Sequence, residues 1–103
     1  ANRFGMITRI VKLAIDPASE QGAEFERIFE TSKDKIAAQN GCFGVKMLRG
    51  EGHYFTYSQW SAEADLNAYR KSELFGAVWP RTKALFYDKP DAWTLEELAE
   101  ATP

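Results

Sequence analysis

The spacing of apolar residues changes period several times along this chain, and the order of the changes limits what it can fold into. From Met6 to Ile15 the period is two. Ile7, Val11, Leu13 and Ile15 fall on one face and Met6, Ile10 and Ala14 on the other, with β-branched residues prominent, which predicts a strand. Both faces are apolar enough to need cover. Arg9 is the exception, a cation on the more apolar face. Asp16-Pro17 then predicts an N-cap followed by proline in the first helical turn. Phe25, Ile28, Phe29 and Ile36 share one face of a helix that reaches about Gln39, and Asn40-Gly41 supplies a left-handed stop.

Cys42 to Arg49 predicts a second strand, with Phe43, Val45 and Met47 on one face. Gly50-Glu51-Gly52 forms a turn into a third strand, His53 to Trp60, so the two make an antiparallel hairpin. Ser61 is expected to cap a short helix carrying Leu66 and Tyr69, and Ser72 to open another. Leu74, Phe75, Val78, Trp79, Leu85 and Phe86 form a stripe that continues past Pro80, where the helix is expected to kink or restart. Asp88 to Asp91 is a loop and Ala92 to Leu95 a last short strand.

The resulting order is β-α-β-β-α-β, with the second helix broken near Pro80. This is a ferredoxin-like α+β domain over residues 6–95, an antiparallel sheet with helices on one face. The face carrying Met6 and Ile10 then calls for a second cover, which a homodimer packed sheet to sheet would supply. Residues 1–5 are expected to be a leader, an alternative start or an expression remnant. Residues 96–103 are an acidic, mobile tail in which Glu96 to Ala99 could form a helical turn.

Composition excludes more than it selects. The net charge is −2 and no Lys/Arg stripe is present, so no nucleic-acid partner is expected. No apolar run approaches the ~20 residues of a membrane span, so no membrane partner is expected either. The single cysteine, Cys42, precludes an internal disulfide and fits a reducing cytoplasm. One histidine and one cysteine do not build a zinc or iron site by themselves, and no metal is expected. Gly50-Glu51-Gly52 lacks the helix and lysine of a nucleotide-binding loop. In contrast, nine of the fourteen aromatic residues lie between Tyr54 and Tyr87, more than a small core needs, which points to a pocket wall or a partner surface.

These residues carry a resemblance. Phe25, Asn40-Gly41-Cys42, Gln59-Trp60-Ser61, and above all Ala68 to Phe75 running on into Trp79-Pro80, resemble the antibiotic biosynthesis monooxygenase family of the dimeric α+β barrel proteins. The resemblance covers roughly Met6 to Leu95. It implies a homodimer, a pocket between sheet and helices in each subunit, and cofactor-independent oxygenation of quinol-like or polyketide-like substrates. A heme-degrading branch of the superfamily uses an Asn, a Trp and an axial His at positions that correspond here to Arg9, Tyr69 and Trp79. None of the three matches and the axial ligand is missing.

The leading expectation is therefore a monooxygenase that binds a small aromatic substrate and O2 with no cofactor. Arg9, Tyr69 and His53 are the candidate catalytic residues. Arg9 would stabilise a developing oxyanion, Tyr69 or Tyr57 would orient a substrate oxygen, and His53 would serve as base if it faced the pocket. Tyr57, Trp60, Phe75 and Trp79 are the candidate substrate-binding residues. Each has a structural alternative: Trp60, Phe75 and Phe86 as core, Arg9 as half of an ion pair, His53 as a turn residue. The competing functional classes are a non-catalytic small-molecule binding or sensing protein on the same scaffold, and heme binding or degradation.

Overall fold

A computed structural model describes residues 6–103, and the expectation for residues 1–5 lies outside the described residues. The elements are β1 (Ile7–Leu13), α1 (Glu20–Ala37), β2 (Cys42–Arg49), β3 (Tyr54–Trp60), α2 (Glu63–Arg70), α3 (Glu73–Lys83) and β4 (Asp91–Glu96). The four strands form one antiparallel sheet in the order β2-β3-β1-β4, the ferredoxin-like arrangement, with the helices against one face. The last strand begins and ends one residue beyond the expected Ala92–Leu95. The tail forms no helical turn, and its Glu97 N–H donates to the Met6 carbonyl at 2.9 Å.

Local chemistry moves several boundaries. The cap of α1 is Ser19 rather than Asp16. The Ser19 hydroxyl accepts from Gly22 N–H at 3.1 Å and donates to the Asp16 carbonyl at 2.6 Å, while the Asp16 carboxylate closes a turn on Ala18 N–H at 2.9 Å. Ser61 does not cap α2. Ala62 occupies that position without a side-chain bond, and the Ser61 hydroxyl donates to the Asp65 carboxylate. Ser72 caps α3 as expected, accepting from Phe75 N–H at 3.2 Å. The division in the second helical segment falls at Lys71–Ser72. α3 runs through Pro80 to Lys83, and its bonding resumes where Ala84 N–H donates to the Pro80 carbonyl at 3.2 Å.

In β2 a bulge between Cys42 and Gly44 shifts the register by one residue against β3. Gly44 meets it at φ 150°, a value that favours glycine. The shift turns Cys42 inward with Val45 and Met47, and leaves Phe43 out of that set and 61% exposed, against the simple alternation.

Two buried clusters form between sheet and helices. Leu13, Ile15, Phe25 and Tyr54 make one, with Trp79, Leu85 and Phe86 packed against it. Ile7, Trp60 and Leu66 make the other, with Cys42 and Tyr69 at its margin. Tyr54 ties three elements together: its hydroxyl donates to the Glu26 carboxylate on α1, which lies 3.6 Å from the Arg49 guanidinium on β2. Among the described residues no helix covers the opposite face of the sheet. There Ile10, Phe55 and Tyr57 are half-buried, and Leu48, Trp93 and Leu95 are exposed.

Gly22 is buried where the first turn of α1 crosses the Asp16-Pro17 turn. A Cβ there would lie 2.5 Å from the Asp16 carbonyl oxygen and 2.8 Å from Pro17 Cα, both backbone atoms with little freedom to move. Gly22→Ala should therefore lose about 1–3 kcal/mol of stability, although alanine is the better helix former. Urea unfolding followed by circular dichroism checks this, and a midpoint equal to wild type would contradict it.

Candidate active site

The two clusters leave a cavity of about 220 Å³ between them. Arg9 decides its position. On the inward face of β1, Ile7 joins one cluster, Val11 and Leu13 pack in or against the other, and Arg9 lies between. Its neighbours across the sheet are Ser58 on β3 and Thr94 on β4, and its Nη1 donates to Thr94 Oγ1 at 2.7 Å. Val11, Val45, Thr56, Ser58 and Ala92 complete the sheet side of the cavity. Phe25, Ile28, Phe29, Ser32 and Ile36 come from α1, and Leu66, Tyr69 and Arg70 from α2. Phe75, Val78, Trp79 and Thr82 come from α3.

Aromatic rings form a continuous ladder along one wall. Trp60 stacks on Tyr69 at 5.2 Å between centroids, Tyr69 meets Phe75 edge-on at 5.3 Å, and Phe75 stacks on Trp79 at 5.6 Å. Trp79 in turn meets Phe86 edge-on at 5.7 Å. Such pairs add about 0.5–1.5 kcal/mol each beyond area burial, so the wall is held in place before any ligand arrives. Trp60 itself does not line the cavity. It is fully buried behind Tyr69, and its indole N–H donates to Ser58 Oγ at 3.0 Å.

Of the residues singled out from sequence, the structure brings Arg9, Tyr69, Phe75 and Trp79 to one cavity, with Trp60 behind them. It separates His53 and Tyr57 from that group, for one reason. Side chains alternate along β3, so Tyr54, Thr56, Ser58 and Trp60 face the helices while Phe55 and Tyr57 face away. Tyr57 lies under Lys46 Nζ, 5.0 Å from its ring centroid, on the uncovered face. His53 packs edge-on against Phe55 at 5.1 Å beside the hairpin turn, away from the cavity, and is not placed to act as its base.

Arg70 was not expected. Its signal is present in the spacing: Leu66, Tyr69 and Arg70 are i, i+3 and i+4 on α2 and share the inward face. Burial first, and the charge of Arg70 second, pull the Arg9 guanidinium below its ordinary pKa. It stays protonated through the working range of proteins. Tyr69 is pushed up to about 12, mainly by burial. It is thus a hydrogen-bond donor at neutral pH. Among the described residues no Asp, Glu or His lines the cavity, and no group of three or more His, Cys, Asp and Glu side chains is arranged to hold a metal ion. Among them, too, no helix is long and apolar enough to cross a membrane.

Residues 6–80 match the family described as antibiotic biosynthesis monooxygenase. The chain belongs to that family. Solved structures show the same fold at low identity. A proposed antibiotic biosynthesis monooxygenase from Caulobacter crescentus is 24% identical with a TM-score of 0.82, over 94% of this chain and 93% of that one. A conserved protein from Methanosarcina mazei is 14% identical with a TM-score of 0.83, over 90% of this chain and 93% of that one. A third, from Nitrosomonas europaea, is 10% identical with a TM-score of 0.83, over 95% of each chain. Among proteins of curated function, no sequence matches. The cavity of this chain brings together two guanidinium groups, a protonated tyrosine and an aromatic wall.

The raised tyrosines have a consequence for alkaline stability. Tyr54 is also pushed up to about 12, by burial and then by its hydrogen bond to Glu26. Both phenols ionise near 10 in the unfolded chain. The native state therefore holds its protons more tightly, and the stability they contribute is complete below about pH 10 and lost as pH rises toward about 12. The urea midpoint should fall over that interval, and fall less in Tyr69→Phe. An unchanged slope in that variant would remove Tyr69 as a contributor.

Proposed function

We propose that this protein is a monooxygenase acting on a small, electron-rich aromatic compound, quinol-like or polyketide-like, bound in the sheet–helix cavity. The observation that carries the reading is the placement of Arg9 opposite the Tyr69–Phe75–Trp79 wall inside a cavity of about 220 Å³. The volume lies below the ~300–1,000 Å³ of drug-sized sites, which suits a compact aromatic molecule. Family membership supports the reaction class.

The chemistry needs little from the protein beyond this. When a ring CH2 activated by neighbouring phenols becomes a carbonyl, two C–H bonds break. One atom of O2 becomes the carbonyl oxygen and the other leaves as water with both hydrogens. All the electrons come from the substrate, so no external reductant is required. The residues supply the surroundings. Tyr69, Phe75 and Trp79 hold the ring and exclude water. The Tyr69 hydroxyl donates to a substrate oxygen, and the Arg9 guanidinium, steadied by Thr94, stabilises the oxyanion that passes its electron to O2. No metal or flavin enters the scheme. Oxygen consumption with a panel of quinols and anthrones tests it. Arg9→Gln should lower kcat by about 10²-fold, the usual order for loss of an oxyanion donor. Tyr69→Phe should do so by less.

One observation favours the second reading, a binding or sensing protein on the same scaffold: the cavity lining among the described residues offers no carboxylate or imidazole to take a proton. Binding of the panel without oxygen consumption would decide for it.

We further propose a homodimer formed through the uncovered sheet face. Trp93 and Leu95 on β4 and Leu48 on β2 are each at least 44% exposed on a face that also presents Ile10, Phe55 and Tyr57. Sedimentation at micromolar concentration should give the mass of two chains, and Trp93→Glu should shift it to one. A wild-type monomer would refute this assembly.

A further inference from the structure

We infer that the Arg9–Arg70 pair makes the cavity an anion receptor, so that its ligand is a compact aromatic already carrying an oxyanion, a phenolate or a carboxylate, when it binds. This rests on the cavity being the binding site proposed above, and adds the charge state of what it takes.

The other arginines among the described residues each sit beside a carboxylate. Arg27 lies 2.7 Å from Glu24, Arg81 3.9 Å from the same carboxylate and Arg49 3.6 Å from Glu26. Arg9 and Arg70 have no such partner among the described residues, and both line the one cavity. Arg9 commits one donor to Thr94 Oγ1, which fixes the guanidinium and leaves most of its five N–H groups free. Arg70 sits in the last turn of α2, where the helix dipole favours a cation. That accounts for a positive residue at that turn but not for its place on the cavity lining beside a second, half-buried cation. Two like charges facing one largely apolar space are unfavourable while it is empty of counter-charge. An oxyanion between them turns the repulsion into two charge-assisted contacts in a region of low dielectric. Among the described residues the lining supplies no acid for this role and no carboxylate or imidazole base to generate the anion after entry. A ligand that arrives ionised meets both conditions, with its ring on the Phe75–Trp79 wall.

The test compares matched pairs by calorimetry without O2-dependent turnover as a readout: naphthoate against naphthamide, and para-nitrophenolate against para-nitroanisole at a pH where the phenol is ionised. At least one anion should bind roughly tenfold or more tightly than its neutral partner, and that margin should shrink as salt rises. The arm with the larger margin identifies carboxylate or phenolate. Arg70→Gln and Arg9→Gln should each cut the margin severalfold, Arg70→Lys should keep part of it, and Arg27→Gln, on the outer surface of α1, should leave it intact. Arg70 is exposed on one side, so its variants test the inference even if Arg9→Gln folds poorly. Equal binding of anion and neutral partner would overturn the inference while leaving the cavity as the site. A margin that survives Arg70→Gln and Arg9→Gln would overturn it too. Absence of binding by every probe, or binding indifferent to Trp79→Ala, would overturn both the inference and the site.

Discussion

A charged residue on the inward face of a central strand is the constraint on which the rest of this structure depends. β1 is hydrogen-bonded on both sides, so Arg9 cannot turn to solvent at a sheet edge. Its parity with Ile7, Val11 and Leu13 sends it toward the helices. Burying a guanidinium in a closed apolar core would cost several kcal/mol. The fold resolves this by not closing. The core divides into a cluster around Ile7 and Trp60 and another around Leu13 and Phe25, and the gap between them is the cavity. The short polar side chains of Ser58 and Thr94, directly across from Arg9 on the two adjacent strands, leave it room and one fixed hydrogen bond. The cavity is in this sense a result of one residue's position in the strand register.

Strand parity also explains how much of the site was legible in the sequence. Alternation in β1 groups Arg9 with Ile7, Val11 and Leu13 but does not say which face meets the helices; that choice, and the pocket position of Tyr69, lean on the family resemblance, while helical spacing puts Phe75 and Trp79 on one stripe. His53 and Tyr57 stand out by chemistry alone; the alternation of β3 sends Tyr57 to the other face, and His53 precedes the strand beside the hairpin turn. That alternation was available from the sequence. The bulge at Cys42–Gly44 was not, because an inserted residue shifts the register of a strand without changing its apolar content, and Phe43 left the inward set for that reason. Arg70 is hard to see in the sequence for a different reason. A lysine or arginine at the end of a helix is ordinarily a solvated residue that favours the dipole, and only its four-residue spacing from Leu66 marks it as inward. The caps followed the same pattern: Ser72 was correctly read, whereas the Asp16-Pro17 turn and Ser61 offered side chains that bond locally in more than one way.

The aromatic surplus that was evident in the sequence serves two purposes. Trp60 is fully buried and its indole is hydrogen-bonded, so its role toward a ligand is indirect: it fixes the plane of Tyr69 by stacking. Tyr69, Phe75 and Trp79 then present their surfaces to the cavity. Because each ring rests on the next, the wall reaches from the Ile7–Trp60 cluster to Phe86 on the margin of the other. A change at Trp60 would therefore be felt at the cavity without any contact to a ligand. Division of labour of this kind lets a small domain keep a permanent opening beside its core, since the rings that flank the opening are anchored in both halves.

The edge strand β4 connects the cavity to the opposite face of the sheet. It is held to the rest of the sheet by β1 alone, and every one of its residues is exposed in the single chain. Thr94 points inward to hold Arg9, and its neighbour Trp93 points outward across from Ile10. Anything that covers Trp93 removes a large apolar surface from water, and it also holds down the strand that positions the guanidinium. The same six-residue strand thus carries the hydroxyl that holds Arg9 on one face and the largest exposed apolar ring on the other, so the order of the two faces is linked through its pairing with β1.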